Sequence, residues 1–479
     1  MGHKKPPYTN RRRKGSTMQQ RCRSRAGSRR LCASCWIGLI AVGMTVVAAV
    51  PAAQGSGYAL REQSASALGN AFAGGTAGAE DPSYMFFNPA GLARLSGSQV
   101  MVVGNVVVPR LELSKVQGST AAGVPINGND GGNAGETSFV PVMYGLWDLQ
   151  QTFGLEENIK LGVGVNVPFG LETDYRDGWV GRYHGLQSRV RTINVNPAVA
   201  WEVVEGLSVA AGVQAQYFDV RLTNAIDFGS LGAAFGGTPG ASDGRARATG
   251  DDLGWGYNLG LLWQPWTSTR LGLAWRSAID HRLKGDGDFT LDSTGIGAAL
   301  QQRTGAFQDT GIHGDVTTPE TLSFGVHQDL DEQWSVMAEA EWTRWSRFHE
   351  LKIVFDNPAQ PDSITEEEWQ DTWFVGVGAT FRPDEAWTLR SGFAWDQDPT
   401  SNKHRGPRIP TDDRYWLSVG LGWNPIPNLN LDLGYTHIFI EDTAIDLQAS
   451  DRGNAARGNL KADVSGSVDI LALQARWVF

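Results

Sequence analysis

Residues 373–381 read WFVGVGATF, and apolar side chains recur at every second position of this stretch. A period of two is the pattern of a β-strand, and aromatic residues stand at both ends of the apolar face. Trp373 and Phe381 are eight residues apart, which corresponds to about 20 Å in a strand tilted by about 40°. Outer-membrane barrels carry an apolar outer band about 25 Å tall between aromatic girdles, so this stretch predicts a barrel strand.

The same alternation occurs at residues 334–342 and 417–423, opposite glycine, serine and charged residues. Alternation alone also fits a soluble sheet with one buried face. The aromatic ends and the polar opposite faces favour a membrane barrel with a polar interior. Continued along the chain, the pattern predicts fourteen strands. They are residues 98–113, 138–149, 158–168, 189–204, 206–222, 253–265, 268–281, 318–330, 333–348, 370–383, 385–397, 412–424, 428–440 and 465–479.

The connections between these strands alternate between short and long. Proline-containing turns at 264–267, 382–385 and 424–428 are short. The long loops are residues 223–252, 282–317, 349–369 and 441–464. Outer-membrane barrels have short periplasmic turns, longer outer loops and an even strand number. We therefore predict an all-β fold, with one 14-stranded antiparallel transmembrane β-barrel over residues 98–479, in the outer membrane of a Gram-negative bacterium.

The first 53 residues have the layout of a secretory signal. A basic region precedes an apolar run at residues 36–50 and small residues at 52 and 53. Translation could instead start at Met18, and Arg29-Arg30 gives a weak twin-arginine signal. Removal of residues 1–53 leaves 30 Lys and Arg against 51 Asp and Glu, a net charge of −21, and no cysteine. Such an acidic chain is not expected to bind nucleic acid or to form disulfides.

Signals for catalysis or a metal are weak. No stretch after the leader offers about 18 consecutive apolar residues, so a helical membrane span is not expected. The histidines lack metal-ligand spacing, and residues 129–133 resemble a calcium loop without its terminal Glu. Glu366-Glu367-Glu368 fits solvated charge better than an acid–base pair. We predict no catalytic residue, cofactor or metal. A porin, an adhesin or an outer-membrane enzyme remains an alternative.

The segment before the first predicted strand does not alternate. It contains Gly57-Tyr58, Ser66-Ala67-Leu68-Gly69, Glu80-Asp81 and, within YMFFNPAGLARL at residues 84–95, Asn88-Pro89-Ala90. Further markers are Asn166-Val167-Pro168-Phe169-Gly170-Leu171 and Trp179-Val180-Gly181-Arg182-Tyr183. With these motifs the chain, from residue 57 to Phe479, resembles the FadL-type long-chain fatty acid transporters of the outer membrane, a family that also includes transporters of aromatic hydrocarbons.

The resemblance implies that residues 54–97 form a hatch, which plugs the barrel from the periplasmic side. Phe86 and Phe87 would pack within the barrel, and the triplet Asn88, Pro89 and Ala90 would fix the turn of the plug. The triplet also occurs at 196–198 and 357–359, so the alternative is that it marks a simple turn.

The family also implies an inward kink that opens the wall sideways at the third strand. Prolines weaken strand pairing because they cannot donate a hydrogen bond. The candidates are Asn166, Pro168, Phe169, Gly170 and Pro197. Alternatively, Pro168 simply ends a strand.

The family places a capture groove between its third and fourth outer loops. The apolar candidates here are Phe228, Leu231, Phe235, Ile296, Leu300 and Phe307, which could equally pack the loops together. A carboxylate head group would pair with an arginine. The candidates are Arg182, Arg189 and Arg191, whose orientation the pattern leaves open.

These features predict diffusive uptake of long-chain fatty acids or similar hydrophobic compounds. Each methylene gains about 0.8 kcal/mol on leaving water, so a 16-carbon chain favours an apolar path by roughly 12 kcal/mol. Import of aromatic hydrocarbons or alkanes is the alternative. The expected partners are the hydrophobic substrate, outer-membrane lipid and lipopolysaccharide, and the barrel assembly machinery. The stretch LALQARWVF at 471–479 resembles the signal which that machinery reads, and nothing requires more than a monomer.

Overall fold

The fold is taken from a computed structural model that describes Gly2 and residues 57–479. The predicted leader, residues 1–53, lies outside the described residues apart from that one glycine.

The described residues form one sheet that closes on itself. The strands are β1 Gln99–Ser119, β2 Ser138–Asp148, β3 Ile159–Asn166, β4 Gly170–Asp174, β5 Gln187–Val204, β6 Leu207–Asp227, β7 Asp243–Trp266, β8 Thr269–Arg276, β9 Ile279–Thr290, β10 Thr310–Thr318, β11 Thr321–Asp329, β12 Trp334–Thr343, β13 Glu350–Phe355, β14 Ser363–Glu366, β15 Thr372–Phe381, β16 Trp387–Asp396, β17 Arg414–Ile426, β18 Leu429–Leu447 and β19 Asn459–Val478. All neighbouring strands are antiparallel. β1 closes the ring against β19, from Gln99 opposite Val478 to Ser119 opposite Asn459.

Within the described part of the chain these segments make a ring of fourteen strands, which confirms the predicted fold class. Three ring strands are interrupted and consist of β3 with β4, β8 with β9, and β10 with β11. β13 and β14 form a hairpin in the loop between β12 and β15.

The two faces of the strands differ as the alternation predicts. On β15 the side chains of Trp373 and Val377 are 49% and 53% exposed, whereas Phe374 between them is buried. The exposed apolar face points away from the ring, where lipid replaces water as its surroundings. The predicted short turns connect β7 to β8, β15 to β16 and β17 to β18.

The predicted long loops contain more strand than the sequence indicated. β6 and β7 continue pairing as far as Asp227 opposite Asp243, and β9 pairs with β10 above the apolar band. The outward positions of these extensions carry charged residues such as Arg245 and Asp286, so the apolar alternation that marks a membrane strand is lost there. Their backbone groups still form ladders.

Helices are few and short. They are α1 Ala65–Gly69, α2 Leu149–Phe153, α3 Phe228–Leu231 and α4 Ile296–Thr304, with 3₁₀ turns at Pro82–Phe86, Pro89–Arg94, Ala233–Phe235 and Trp345–Arg347. Among residues 57–479, no helix combines the length and the hydropathy needed to cross a bilayer.

The N-terminal segment, residues 57–97, contacts strands around the whole ring. The backbone N–H of Ala65 donates to Gln474 of β19 at 3.0 Å, and that of Thr76 donates to Glu339 of β12 at 3.0 Å. At Gly69 an added Cβ would lie 2.8 Å from the Cα of Gly420 in β17, so only glycine permits this approach. The segment is almost entirely buried.

Candidate functional site

The third strand of the ring is interrupted near its middle. β3 ends at Asn166 and β4 begins at Gly170, so residues 167–169 leave the ladder with β5. Thr192 of β5 faces the interruption, and its hydroxyl accepts a hydrogen bond from the Phe169 N–H at 2.9 Å. The missing N–H of the proline contributes to the break. The residues that border it include the predicted Asn166, Pro168, Phe169 and Gly170.

Pro197 does not border this interruption, which corrects its assignment to the opening. It lies opposite Val163 in the continuous part of the β3–β5 ladder. Its own pairing with β6 is missing instead, between Val195 and Ala198, although the register is the same on both sides of this gap. Two prolines on neighbouring strands therefore weaken two different ladders.

The N-terminal segment covers the interruption. Leu60 N–H donates to the carbonyl of Pro168 at 2.8 Å, and Gly170 N–H donates to the carbonyl of Tyr58 at 2.8 Å. The amide of Gln63 donates to the carbonyl of Val167 at 2.7 Å. Residues 58–60 thus supply hydrogen-bond partners for the backbone that β5 leaves unpaired.

Asn88 joins three parts of the molecule. Its Oδ1 accepts from the N–H of Ala90 at 3.0 Å, which closes the turn that begins with Pro89. Its Nδ2 donates to the carbonyl of Thr76 at 2.8 Å and to that of Leu261 in β7 at 3.0 Å. The turn of the N-terminal segment is therefore fixed directly to the barrel wall.

Phe86 and Phe87 line a cavity beside the interruption, which we call the lower cavity. Its volume is about 70 Å³, and Pro89, Pro168 and Phe169 also line it. Its lining also includes the charged residues Arg61, Arg276, Glu341 and Asp396. The guanidinium of Arg276 lies 4.4 Å from the centre of the Phe86 ring. The lower cavity thus joins the predicted hatch residues and the predicted opening.

Five aromatic side chains, which we call the aromatic barrier, stand above the lower cavity. They are Tyr58, Phe169, Trp345, Phe348 and Trp369. The ring of Tyr58 is central, with its centroid 4.8 Å from Trp345, 5.6 Å from Phe169 and 5.7 Å from Trp369. Edge and tilted contacts of this kind are favourable.

A second cavity, the upper cavity, lies on the other side of the barrier. Its volume is about 90 Å³. Its apolar lining includes Tyr58, Leu171, Val190, Phe218, Leu283 and Phe348. Phe169 and Trp345 face the lower cavity whereas Tyr58 and Phe348 face the upper one, so the barrier separates the two.

Arg408 and Glu367 form the polar end of the upper cavity. Both come from outer loops. Arg408 donates to the hydroxyl of Ser188 at 3.0 Å, and no carboxylate of the described residues lies within ion-pair distance of it. Burial lowers the pKa of Arg408 to about 10, with the nearby Arg457 adding to the effect. Burial raises the pKa of Glu367 to about 7.

Arg408 was not among the residues predicted from the sequence to bind substrate, and Glu367 was predicted to be solvated. Residues 407–410 read PRIP, so Arg408 is flanked by apolar residues. This apolar setting for a cation was the available sequence signal for a binding residue. Glu367 is partly buried, and its Oε2 accepts from the indole N–H of Trp369 at 3.0 Å. The charge of Glu367 alone does not predict that the loop carrying it folds back over the barrel.

The predicted capture residues divide into packing and exposed groups. Phe228 and Leu300 are buried between α3 and α4. Leu231 and Phe235 are 42% and 39% exposed. Phe307 stacks edge-on against Phe228 at 5.0 Å. Ile296 lies against Gly232.

Leu231 and Phe307 line an open cavity of about 340 Å³, the outer groove. It shares Leu222, Ala248, Leu351, Ile353 and Arg408 with the upper cavity. The outer groove and the upper cavity are therefore adjacent, with Arg408 at their boundary.

The three predicted carboxylate-binding arginines are placed elsewhere. Arg182 pairs through its Nε with Asp243 at 2.6 Å in the outer loops. Arg189 and Arg191 share a face of β5 with the exposed Trp201 and therefore point outward. Because Arg189 and Arg191 lie outside the wall and Arg182 is neutralised by Asp243, the prediction that these three arginines bind the substrate carboxylate is corrected. Within residues 57–479 no group of three His, Cys, Asp or Glu residues could hold a metal ion.

A closed 14-stranded barrel with an apolar outer face, an enclosed N-terminal segment and successive cavities is the architecture expected of an outer-membrane transport protein. Sequence comparison agrees. The model of the family described as "Outer membrane protein transport protein (OMPP1/FadL/TodX)" matches residues 44–479. The chain belongs to this family, which confirms the resemblance and the outer-membrane localisation.

Several relatives resemble the chain over most of its length. An outer membrane protein of Neisseria meningitidis serogroup B is 30% identical and covers 88% of this chain and 95% of its own. The long-chain fatty acid transport protein of Escherichia coli K12 is 26% identical, covering 82% and 89%. The crystal structure of a Pseudomonas aeruginosa FadL homologue has a TM-score of 0.81 at 23% identity and covers 88% of this chain and 99% of its own.

Proposed function

We propose that this protein is a diffusive transporter of long-chain fatty acids. The observation that carries the proposal is the order of the compartments. The outer groove adjoins the upper cavity, the aromatic barrier follows, and the lower cavity ends at the wall interruption. The similarity to the fatty acid transport protein of Escherichia coli supports the substrate class.

In this proposal the alkyl chain enters through the outer groove at Leu231 and Phe307. Each methylene that leaves water contributes about 0.8 kcal/mol. The substrate carboxylate pairs with Arg408, which has no carboxylate partner in the described part of the chain and lies where the groove meets the upper cavity. A half-buried guanidinium that donates to the Ser188 hydroxyl but has no ion-pair partner among the described residues is a strong site for a carboxylate.

Passage then requires the N-terminal segment to act as a hatch. Tyr58 holds the barrier, and residues 58–60 cover the interruption by backbone hydrogen bonds. A rearrangement of these few residues would open the barrier and uncover the gap at residues 167–169 together. The alkyl chain could then leave sideways into the bilayer without entering water.

The proposal contains no catalytic step, in keeping with a transport family. The compartments all lie within one chain, so we propose a monomer. The alternating terminal strand, which pairs with β1 as β19, is proposed as the segment that the barrel assembly machinery recognises.

Uptake of labelled palmitate and labelled toluene into cells lacking their own fatty acid transporter tests this function. Arg408→Gln should lower palmitate uptake at least about tenfold, because it removes the charge that pairs with the carboxylate. Toluene has no carboxylate, so its uptake should not change. Arg452→Gln, which removes an exposed outer-loop charge, is the matched control.

Two results would contradict the proposal. Equal palmitate uptake by the Arg408→Gln variant and the intact protein would remove Arg408 from the path. Uptake of toluene but not palmitate by the intact protein would replace the substrate class with aromatic hydrocarbons and leave the path in place.

A further inference from the structure

Four arginines form a patch on the outside of the barrel, which we call the arginine patch. They are Arg189 and Arg191 of β5, Arg221 of β6 and Arg247 of β7. Arg189 lies directly opposite Arg221, and Arg247 lies opposite Thr223, two positions above Arg221. Directly opposed like charges on neighbouring strands are destabilising unless something neutralises them.

The arginine patch faces the lipid side, immediately above the apolar band. Along the same outward faces follow Tyr217 of β6, and Leu253 and Trp255 of β7, which are 40%, 53% and 65% exposed. Aromatic residues of this kind mark the level at which the hydrocarbon gives way to head groups. The patch therefore lies at the depth of the outer head groups.

The protein neutralises this patch only in part. Arg189 pairs with Asp219 at 3.1 Å, and Arg191 approaches Glu172 at 3.9 Å. Among the described residues, no carboxylate lies within ion-pair distance of Arg221 or Arg247. Asp251 stands opposite Lys284 of β9, and Asp288 of β9 stands opposite Arg247 without forming an ion pair with it. The Nε atoms of Arg189, Arg191 and Arg221 are buried and have no hydrogen-bond partner among residues 57–479, so the other guanidinium nitrogens are the ones open to a ligand.

We propose that the arginine patch binds the phosphate groups of the outer-leaflet glycolipid, the diphosphorylated lipid A of lipopolysaccharide. Guanidinium groups bind phosphate oxygens in bidentate geometry, and several of them together suit a ligand with more than one phosphate. The position beside exposed aromatic residues allows the acyl chains to lie against the wall while the phosphates reach the patch. The residues of the uptake path, including Arg408, do not contribute to this lipid-binding site.

The test is lipid binding to the purified protein in detergent micelles, measured by native mass spectrometry. The probes are diphosphoryl lipid A, dephosphorylated lipid A and phosphatidylglycerol. The intact protein should bind diphosphoryl lipid A at least about tenfold more tightly than either other lipid. The variant Arg189→Gln, Arg221→Gln should lose about tenfold in affinity for diphosphoryl lipid A only.

Arg344→Gln, Arg452→Gln is the matched control, since it removes two exposed charges elsewhere on the outer side and should bind as the intact protein does. Equal affinity of the intact protein for phosphorylated and dephosphorylated lipid A would overturn the proposal, and this comparison needs no variant. Equal affinity for phosphatidylglycerol would overturn the choice of glycolipid. Normal heat-modifiable mobility would show that the double variant is folded. If this folded variant still bound diphosphoryl lipid A as the intact protein does, the arginine patch would be excluded as the binding site.

Discussion

The triplet Asn-Pro-Ala occurs at three places and adopts two conformations. At Asn88 and again at Asn357 the side-chain oxygen accepts from the N–H two residues later at 3.0 Å, which closes a turn. At Asn196 the same triplet is extended within β5, and the side chain donates to Asn258 at 3.1 Å instead. The local sequence therefore permits the turn, and the surrounding ladder decides whether it forms.

The outward orientation of Arg189 and Arg191 could have been predicted from the strand periodicity of the sequence. Both are an even number of positions from Trp201, and in a strand without a bulge this places them on one face. Trp201 belongs on the lipid side, so the arginines do too. Arg408 could not be placed in this way, because it lies in a loop with no periodicity.

At the residue scale we predict that Glu367 makes fatty acid binding pH-dependent. Its pKa is raised by burial to about 7, so it is largely neutral at pH 6 and largely charged at pH 8. A charged Glu367 competes with the substrate carboxylate for Arg408 and repels it. Affinity should therefore fall as the pH rises from 6 to 8, in equilibrium binding of a fluorescent fatty acid to the purified protein.

Glu367→Gln should bind with little pH dependence over the same interval. Glu368→Gln changes a neighbouring carboxylate whose side chain is 55% exposed, and this variant should retain the pH dependence of the intact protein. The free energy of unfolding should also fall as the pH rises. A raised carboxyl pKa favours the folded state at low pH, and this gain is lost as the pH rises through about 7. A Glu367→Gln profile identical to that of the intact protein would contradict the assignment.

At the scale of elements, the ring strands were predictable and their outer extensions were not. The membrane imposes apolar residues on every outward position, and this gives a signal of period two in β12, β15 and β17. Above the membrane the outward positions of β6, β7 and β9 meet water and become charged. The interruption between β3 and β4 was indicated by Pro168, whereas its cover by residues 58–60 had no local signal.

We predict that Tyr58→Ala opens the aromatic barrier. Loss of a ring at its centre would join the upper and lower cavities. Palmitate uptake by the variant should exceed that of the intact protein, because the Tyr58 ring no longer has to move aside. The destabilisation expected for such a truncation is about 3 kcal/mol, which a barrel of this size should tolerate.

Tyr175→Ala serves as the control, because it truncates a buried tyrosine that stacks on Trp179 at 4.2 Å, outside the barrier. It should leave palmitate uptake unchanged. Equal uptake by the Tyr58→Ala variant and the intact protein would mean that other groups keep the cavities apart.

At the scale of the whole molecule, the fourteen strands and the family could be predicted from the sequence, because the bilayer and the N-terminal motifs both leave sequence signals. The path could not be traced, because it depends on side chains from separate loops and from the N-terminal segment. Leu231, Arg408 and Tyr58 are far apart in the sequence and contribute to successive compartments.

We predict that tying the N-terminal segment to the wall stops uptake. An added Cβ at Gly378 of β15 would lie 3.2 Å from the Cβ of Ala73, close to the separation of about 3.5–4.5 Å in a disulfide. The chain has no cysteine after residue 35, so Ala73→Cys, Gly378→Cys introduces the only cysteine pair beyond that residue. Palmitate uptake should be lost when the pair is oxidised and return when it is reduced.

The control is Asp280→Cys, Thr317→Cys, which joins β9 to β10 at a directly opposed pair away from the N-terminal segment. Its oxidation should not affect uptake. Full uptake by an oxidised Ala73→Cys, Gly378→Cys protein would show that passage needs no movement of this part of the segment.

The seam between β1 and β19 has a consequence for biogenesis. The ring closes by pairing the first strand with the last, so its final ladder joins residues separated by nearly the whole chain. Contacts of such long range form slowly, and until they form two strand edges stay open to other chains. A polypeptide cut short before β19 would keep both edges. Quality control in the periplasm should therefore act chiefly on incomplete copies of this protein.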